Sequence, residues 1–234
     1  MTTSGSTDFS TTTANIVRDA LLLLGAIDPN ESVPAQDLSD GKRMLNMLSK
    51  FLQTQVEVWP TKDITVTLTP GTESYTVGSG NDIDEDRFLQ LRYARRQSSD
   101  GTETEIDVVS RREYMNLPTK STQAPVNIVH YDAQLSPSRL YVWPTGDSSN
   151  NTLIITVHRP LEDFDTASNT PDYPQEWYLL LVYQLAATIA PTYKGQTPQS
   201  IMLQAGQLLK QLKSWDTEPN KIRISPDVRR HRRR

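Results

Sequence analysis

Ile64-Thr65-Val66-Thr67-Leu68-Thr69-Pro70-Gly71-Thr72-Glu73-Ser74-Tyr75-Thr76-Val77 is the stretch on which the fold turns. Apolar residues at 64, 66 and 68 alternate with polar ones, the period of a half-buried strand. Thr69-Pro70-Gly71-Thr72 interrupts the run with Pro and Gly in the order of a tight reversal. Tyr75 and Val77 then resume the alternation. The pattern predicts a β-hairpin with Tyr75 and Val77 packed beside Val66 and Leu68 on one sheet face.

The same period continues downstream. Leu89, Leu91 and Tyr93 mark a strand, and a turn over 98–101 leads to Ile106 and Val108. Ser110 with Glu113 spells a capping box for a short helix over 111–117. Three more strands are expected over 126–131, 139–143 and 153–158.

On both sides of this region the period is helical. Thr12 or Thr13 caps a helix over 14–24 with Ile16, Val17, Ala20, Leu21, Leu23 and Leu24 at helical spacing, and Gly25 stops it. Pro34 opens a second, over 34–56. Leu38, Leu45, Leu48 and Leu52 share its apolar face, Met44, Met47 and Phe51 widen it, and Trp59-Pro60 ends it. Pro174 starts a nearly all-apolar helix to about 190, and Thr197-Pro198 a last one with Ile201, Ala205, Leu208, Leu212 and Trp215 in step. The expected fold is therefore α+β. N- and C-terminal helices (13–60 and 172–215) form a helical bundle with an inserted antiparallel β-rich segment (61–171). A flexible arm (1–12) precedes it and an extended basic C-terminal arm (216–234) follows.

Charge is distributed unevenly. Residues 221–234 hold seven basic groups and one acid, a surplus of six positive charges, whereas residues 1–220 hold 17 basic groups and 27 acids. Five of the last six residues are arginine. A compact domain has no need of that asymmetry, and an arm that must find an anionic partner does. Pro219 and Pro226 favour an extended arm over a helix. Three readings of the arm stand: phosphate binding by counterion release, charge-assisted insertion into an acidic cleft of a protein, or a solvated end. Ile222, Ile224 and Val228 favour a protein groove, and the absence of aromatics from 216–234 gives base stacking no support.

The apolar fraction is 36%, low for a monomeric globule of this size, which suits a chain with polar loops, tails, or a core shared between subunits. No cysteine is present, which excludes disulfides and thiolate metal sites. Residues 1–15 lack the basic start and apolar stretch of a signal peptide. The apolar runs 21–24 and 179–190 are too short or too polar to span a bilayer, so a soluble protein is expected.

The residues do not spell catalytic chemistry. His130, His158 and His231 have no carboxylate or histidine at metal-ligand spacing, and the first two sit on expected strands. Asp82-Ile83-Asp84-Glu85-Asp86 lacks the order of a calcium loop and reads as a solvated loop. Gly71, Gly78 and Gly80 precede no helix start with Lys, so they read as hairpin glycines. Arg92, Arg95 and Arg96, followed by Arg111 and Arg112, read either as strand-edge charge that blocks aggregation or as groups facing an anionic surface.

Several segments together carry a resemblance. Ala20-Leu21-Leu22-Leu23-Leu24-Gly25-Ala26, then Pro34 and Leu45-Asn46-Met47-Leu48, resemble the opening helix pair of the P22-like head-to-tail adaptors of short-tailed phages, also called tail accessory factors or packaged-DNA stabilisation proteins. Leu68-Thr69-Pro70-Gly71-Thr72-Glu73-Ser74-Tyr75-Thr76-Val77-Gly78, followed by Asp82-Ile83, is similar to that family's hairpin. Arg139-Leu140-Tyr141-Val142-Trp143-Pro144 is a second match. Residues 171–191, with Glu176 and Leu181-Val182-Tyr183-Gln184-Leu185-Ala186, resemble its C-terminal helix. The family pattern has Pro where this chain has Asp84-Glu85-Asp86, and the terminal Arg run is not part of it.

The resemblance implies a non-enzymatic virion protein. It implies a dodecameric ring below the portal protein that extends the DNA channel, helps retain packaged double-stranded DNA and docks the tail nozzle or hub. It further implies synthesis in the host bacterial cytoplasm, residence at the head–tail junction, no cofactor and no membrane. The charge argument adds Lys221, Arg223, Arg229, Arg230, Arg232, Arg233 and Arg234 as portal-binding groups. Arg92, Arg95 and Arg96 are expected to face the tail or the channel. The alternatives are a nonspecific nucleic-acid-binding virion protein acting through the Arg tail, and a virion-borne cell-wall hydrolase, for which the residues offer no constellation.

Overall fold

The computed structural model describes residues 5–55, 60–135, 137–148 and 152–215. The expected arm over 216–234 and the stop at Trp59 lie outside them. Helix α1 (Thr13–Leu23) is capped by Thr12, whose hydroxyl accepts the Asn15 N–H, and α2 (Ala35–Leu52) follows Pro34. Strands β1 (Thr61–Thr67), β2 (Ser74–Val77), β3 (Gln90–Gln97) and β4 (Glu103–Val108) come next. Helix α3 (Arg111–Met115) starts at the expected Ser110–Glu113 capping box. Strands β5 (Ile128–Asp132), β6 (Ser138–Trp143) and β7 (Thr152–His158) precede α4 (Tyr178–Lys194) and α5 (Gln199–Trp215).

All seven strands join one sheet in the order β1-β7-β3-β4-β5-β6-β2. The sheet curls into a half-barrel with a few helices beside it, which overturns the expected helical bundle with an inserted antiparallel segment. The sheet is mixed, because β4 and β5 run parallel. Parallel neighbours need a crossover, and residues 109–127 with α3 supply it. The expected hairpin is also corrected. β1 pairs with β7 and β2 with β6, so the two strands of the opening stretch are opposite edges of the sheet. Their inward side chains nevertheless meet. Ile64, Val66 and Leu68 share one buried cluster with Tyr75, Val77, Leu140, Leu153 and Ile155. Each such fully buried aliphatic side chain contributes about 1.5–3 kcal/mol.

The helices hold a second, separate cluster around α4, whose Trp177, Leu180, Leu181, Leu185 and Ile189 meet Ile16, Val17 and Leu21 of α1 and Leu45, Leu48 and Leu52 of α2. Gly41 brings α2 close to α1: a Cβ there would lie 2.5 Å from Val17 Cγ1. Met47 and Phe51, expected to widen the apolar stripe of α2, are exposed. A different face of α2, with Lys42, Asn46, Lys50 and Gln53, grips the main chain of the segment after β7. Lys42 and Lys50 donate to the carbonyls of Asp165 and Leu161. Asn46 both donates to and accepts from Phe164, and the Gln53 amide oxygen accepts the Leu161 N–H. Arg159 and Asp172 clamp the two ends of this segment with bonds of 2.6 and 2.8 Å. Residues 5–12 contain no helix or strand, and the Phe9 N–H donates to Gln175 Oε1 while its ring faces Tyr178.

Candidate interaction surfaces

The three arginines of β3 do not act together. A register shift between Leu91 and Tyr93 places Arg92 in a bulge. Beyond it, Arg95 and Arg96 point to opposite faces, as consecutive strand residues must. Arg95 lies on the outer face and joins three strands: its guanidinium is 3.1 Å from Asp63 of β1 and 3.1 Å from Glu103 of β4. Thr156 of β7 donates to the other oxygen of Asp63 at 2.5 Å. Arg96 turns the other way and donates to the Val126 carbonyl and the Asn127 side chain, tying β3 to the lead-in of β5.

Around Arg95 the outer face is a shallow groove of about 450 Å³, lined by Asp63, Tyr93, Ala94, Arg95, Glu105 and Thr156. Tyr93 is 46% exposed. Glu103, Glu105 and Asp107 are exposed along β4, so acids outnumber the arginine here. Sequence reasoning missed Asp63 and Tyr93 as members of one surface. Asp63 sits on an outward position of an alternating run, but Tyr93 shares the parity of buried Leu91 and is turned outward by the bulge, and the partners that complete the groove come from β4 and β7.

The two sheet edges differ. Along β2 the following loop is bonded on: Ile83 N–H donates to the Thr76 carbonyl at 3.0 Å, and Gly78 N–H to the Ile83 carbonyl at 3.1 Å. The acidic run makes this loop. Asp82 accepts the Thr76 N–H and hydroxyl, which hold its pKa below the usual value. Asp84 accepts the Gly80 N–H, and Glu85 pairs with Lys62 at 2.7 Å. These carboxylates thus serve the turn. Gly71 and Gly80 have positive φ, and Gly78 an unusual φ of 152°, as turn glycines do.

His130 is buried in a three-ring cluster with Tyr114 of α3 and Tyr141 of β6, each 6.0 Å from the imidazole and 5.2 Å from one another, with Nδ1 3.0 Å from the Val109 carbonyl. His158 is buried at the end of β7. Arg111 pairs with Asp132 at 3.2 Å. Among the described residues, no group of three or more His, Asp or Glu could hold a metal ion, and no helix is long and apolar enough to cross a membrane. On the helical side Met202, Leu203 and Trp215 of α5 are exposed. Lys221, Arg223, Arg229, Arg230, Arg232, Arg233, Arg234 and His231 lie outside the described residues.

The chain matches the family model described as SU10 adaptor protein over residues 11–229, nearly its whole length. No curated protein matches it.

Proposed function

Because the chain belongs to the SU10 adaptor protein family, a family of phage adaptor proteins, we propose that it forms a ring below the portal. The ring, dodecameric as in the P22-like adaptors the sequence resembles, would extend the DNA channel, help retain packaged DNA and dock the tail nozzle or hub. The family match over residues 11–229 carries the reading. It makes the chain a structural component of a virion and gives the hydrolase alternative no support.

Two physical features agree with it. The acidic body suits a channel wall along which a duplex slides rather than sticks. The basic terminus suits a tether: Lys221, Arg223 and Arg229, Arg230, Arg232, Arg233 and Arg234 would meet acidic groups or main-chain carbonyls of the portal. Weak contacts repeated around a ring sum through avidity.

The arm's charge also favours the second reading, nonspecific DNA binding, and one experiment separates the two. Purified protein is titrated onto portal-bearing heads and, in parallel, onto duplex DNA across a salt series. Saturable stoichiometric binding to heads with weak DNA binding supports the adaptor. Tight DNA binding with a steep salt slope and no saturation on heads would replace it.

A further inference from the structure

Among the described residues, the backbone of β1 has one side without a partner. Arg159 N–H donates to the Pro60 carbonyl at 2.7 Å, and Thr61 stands opposite His158. The alternation of an antiparallel pair therefore turns the backbone groups of residues 62, 64 and 66 toward β7. Those of Thr61, Asp63, Thr65 and Thr67 point away. Among the described residues no backbone group bonds to these four on the open side. The opposite edge, β2, is closed by its own loop, so the open edge is confined to one side of the sheet. A seven-residue edge strand without Pro, its lysine turned aside to Glu85, is a template for strand addition.

We propose that this edge receives residues 221–225 of a neighbouring copy as an added strand. Lys221-Ile222-Arg223-Ile224-Ser225 alternates with the period of a half-buried strand, and Pro226 ends any ladder beyond it. With Arg223 opposite Thr65, Ile222 and Ile224 continue the inner apolar face of Ile64 and Val66. Lys221 and Arg223 then fall on the outer face, where Asp63, Glu103 and Glu105 are exposed acids. Charge and periodicity thus match in one register. The described chain ends at the exposed Trp215, and residues 216–220 reach about 17 Å when extended. This register withdraws Lys221 and Arg223 from the portal contacts proposed above and leaves the portal the arginines from 229 onward, which lie beyond the strand. The donor's identity rests on the ring reading above: a strand passed from one copy to the next is a head-to-tail contact, the kind that closes into a ring.

The test uses full-length Thr65→Cys and Arg223→Cys proteins, mixed, assembled on portal-bearing heads and oxidised, with Glu31→Cys replacing Thr65→Cys as control. A disulfide-linked dimer is expected from the first pair and not from the control. Thr65→Pro, which removes only an outward N–H, is expected to keep its melting temperature within a few degrees and lose tenfold or more in ring occupancy. Rings that form without the dimer overturn the proposal. So does an internal disulfide in a monomer of a further protein that carries Thr65→Cys and Arg223→Cys on one chain, which would make the donor the chain itself. The same mixture is oxidised without heads at high protein concentration. A dimer there, with wild-type protein failing to attach to heads, would keep the strand exchange and sink the adaptor reading instead.

Discussion

The phenol of Tyr75 engages both main-chain groups of Thr69: it accepts the N–H at 2.8 Å and donates to the carbonyl at 3.2 Å. Tyr75 stands on β2 and Thr69 just beyond β1, so one side chain bridges two sheet edges that share no ladder. Burial raises the Tyr75 pKa, against the lowering effect of the accepted Thr69 N–H and of the Thr72 side chain, and the hydroxyl stays protonated at neutral pH.

Tyr75→Phe should therefore destabilise the protein by about 1–2 kcal/mol, the cost of stranding partly buried Thr69 groups. Urea unfolding gives the value. A change indistinguishable from zero would mean that the core alone holds the edges together.

Gly71 sits at φ 83°, and a Cβ there would lie 2.9 Å from Gln123 Nε2. Gly71→Val should cost about 1–3 kcal/mol through backbone strain, and Thr72→Ala within about 0.5 kcal/mol. Equal melting temperatures for the two variants would refute this account of the turn.

Gly41→Ala sets two effects against each other. Ala improves helix propensity by about 1 kcal/mol, but its methyl would collide with Val17 at 2.5 Å. Overpacking of this kind costs about 1–3 kcal/mol, so net destabilisation is expected. Adding Val17→Ala should recover part of the Gly41→Ala loss in a double-mutant cycle, and strict additivity would speak against the contact.

Asp172 couples stability to acid. Burial alone would raise its pKa, yet the bonds from Arg159 and the Glu162 N–H, with the charges of Arg159 and Lys50, hold it below the usual 3.8. A depressed carboxylate stabilises the folded state above its unfolded pKa and loses that contribution as pH falls through the folded one. Wild-type stability should thus decline as pH drops below about 4, and Asp172→Asn, weaker by about 1–2 kcal/mol at pH 7, should decline less. Parallel curves would exclude this pair as a source of the acid slope.

Deleting residues 229–234 should leave the melting temperature unchanged and weaken attachment to portal-bearing heads about tenfold or more at low salt. The gap should narrow as salt screens the full-length arm. Identical titrations across the series would show the Arg run to be unnecessary for attachment.

Local structure was largely legible. Thr12 and the Ser110–Glu113 box mark the starts of α1 and α3, and the strand positions follow the period-two runs. Partner choice was not legible. Thr69-Pro70-Gly71-Thr72 reads as a hairpin turn because turn chemistry is local. β1, however, pairs with β7, whose Leu153, Ile155 and Val157 are far away in sequence and equally apolar on alternate residues. Periodicity tells which face is buried, and it is silent on the neighbour. The β3 bulge that holds Arg92 and turns Tyr93 outward has no Gly or Pro to announce it.

The ladder of Lys42, Asn46, Lys50 and Gln53 on α2 grips main-chain atoms of Leu161, Phe164 and Asp165, and only Lys50 also reaches a side chain, the Asp163 carboxylate at 2.6 Å. A grip on the backbone is indifferent to spelling. The exposed Glu162 and Asp165 side chains are therefore free to drift, and the sheet can be refitted to new partners through this joint while the four gripping residues stay as they are.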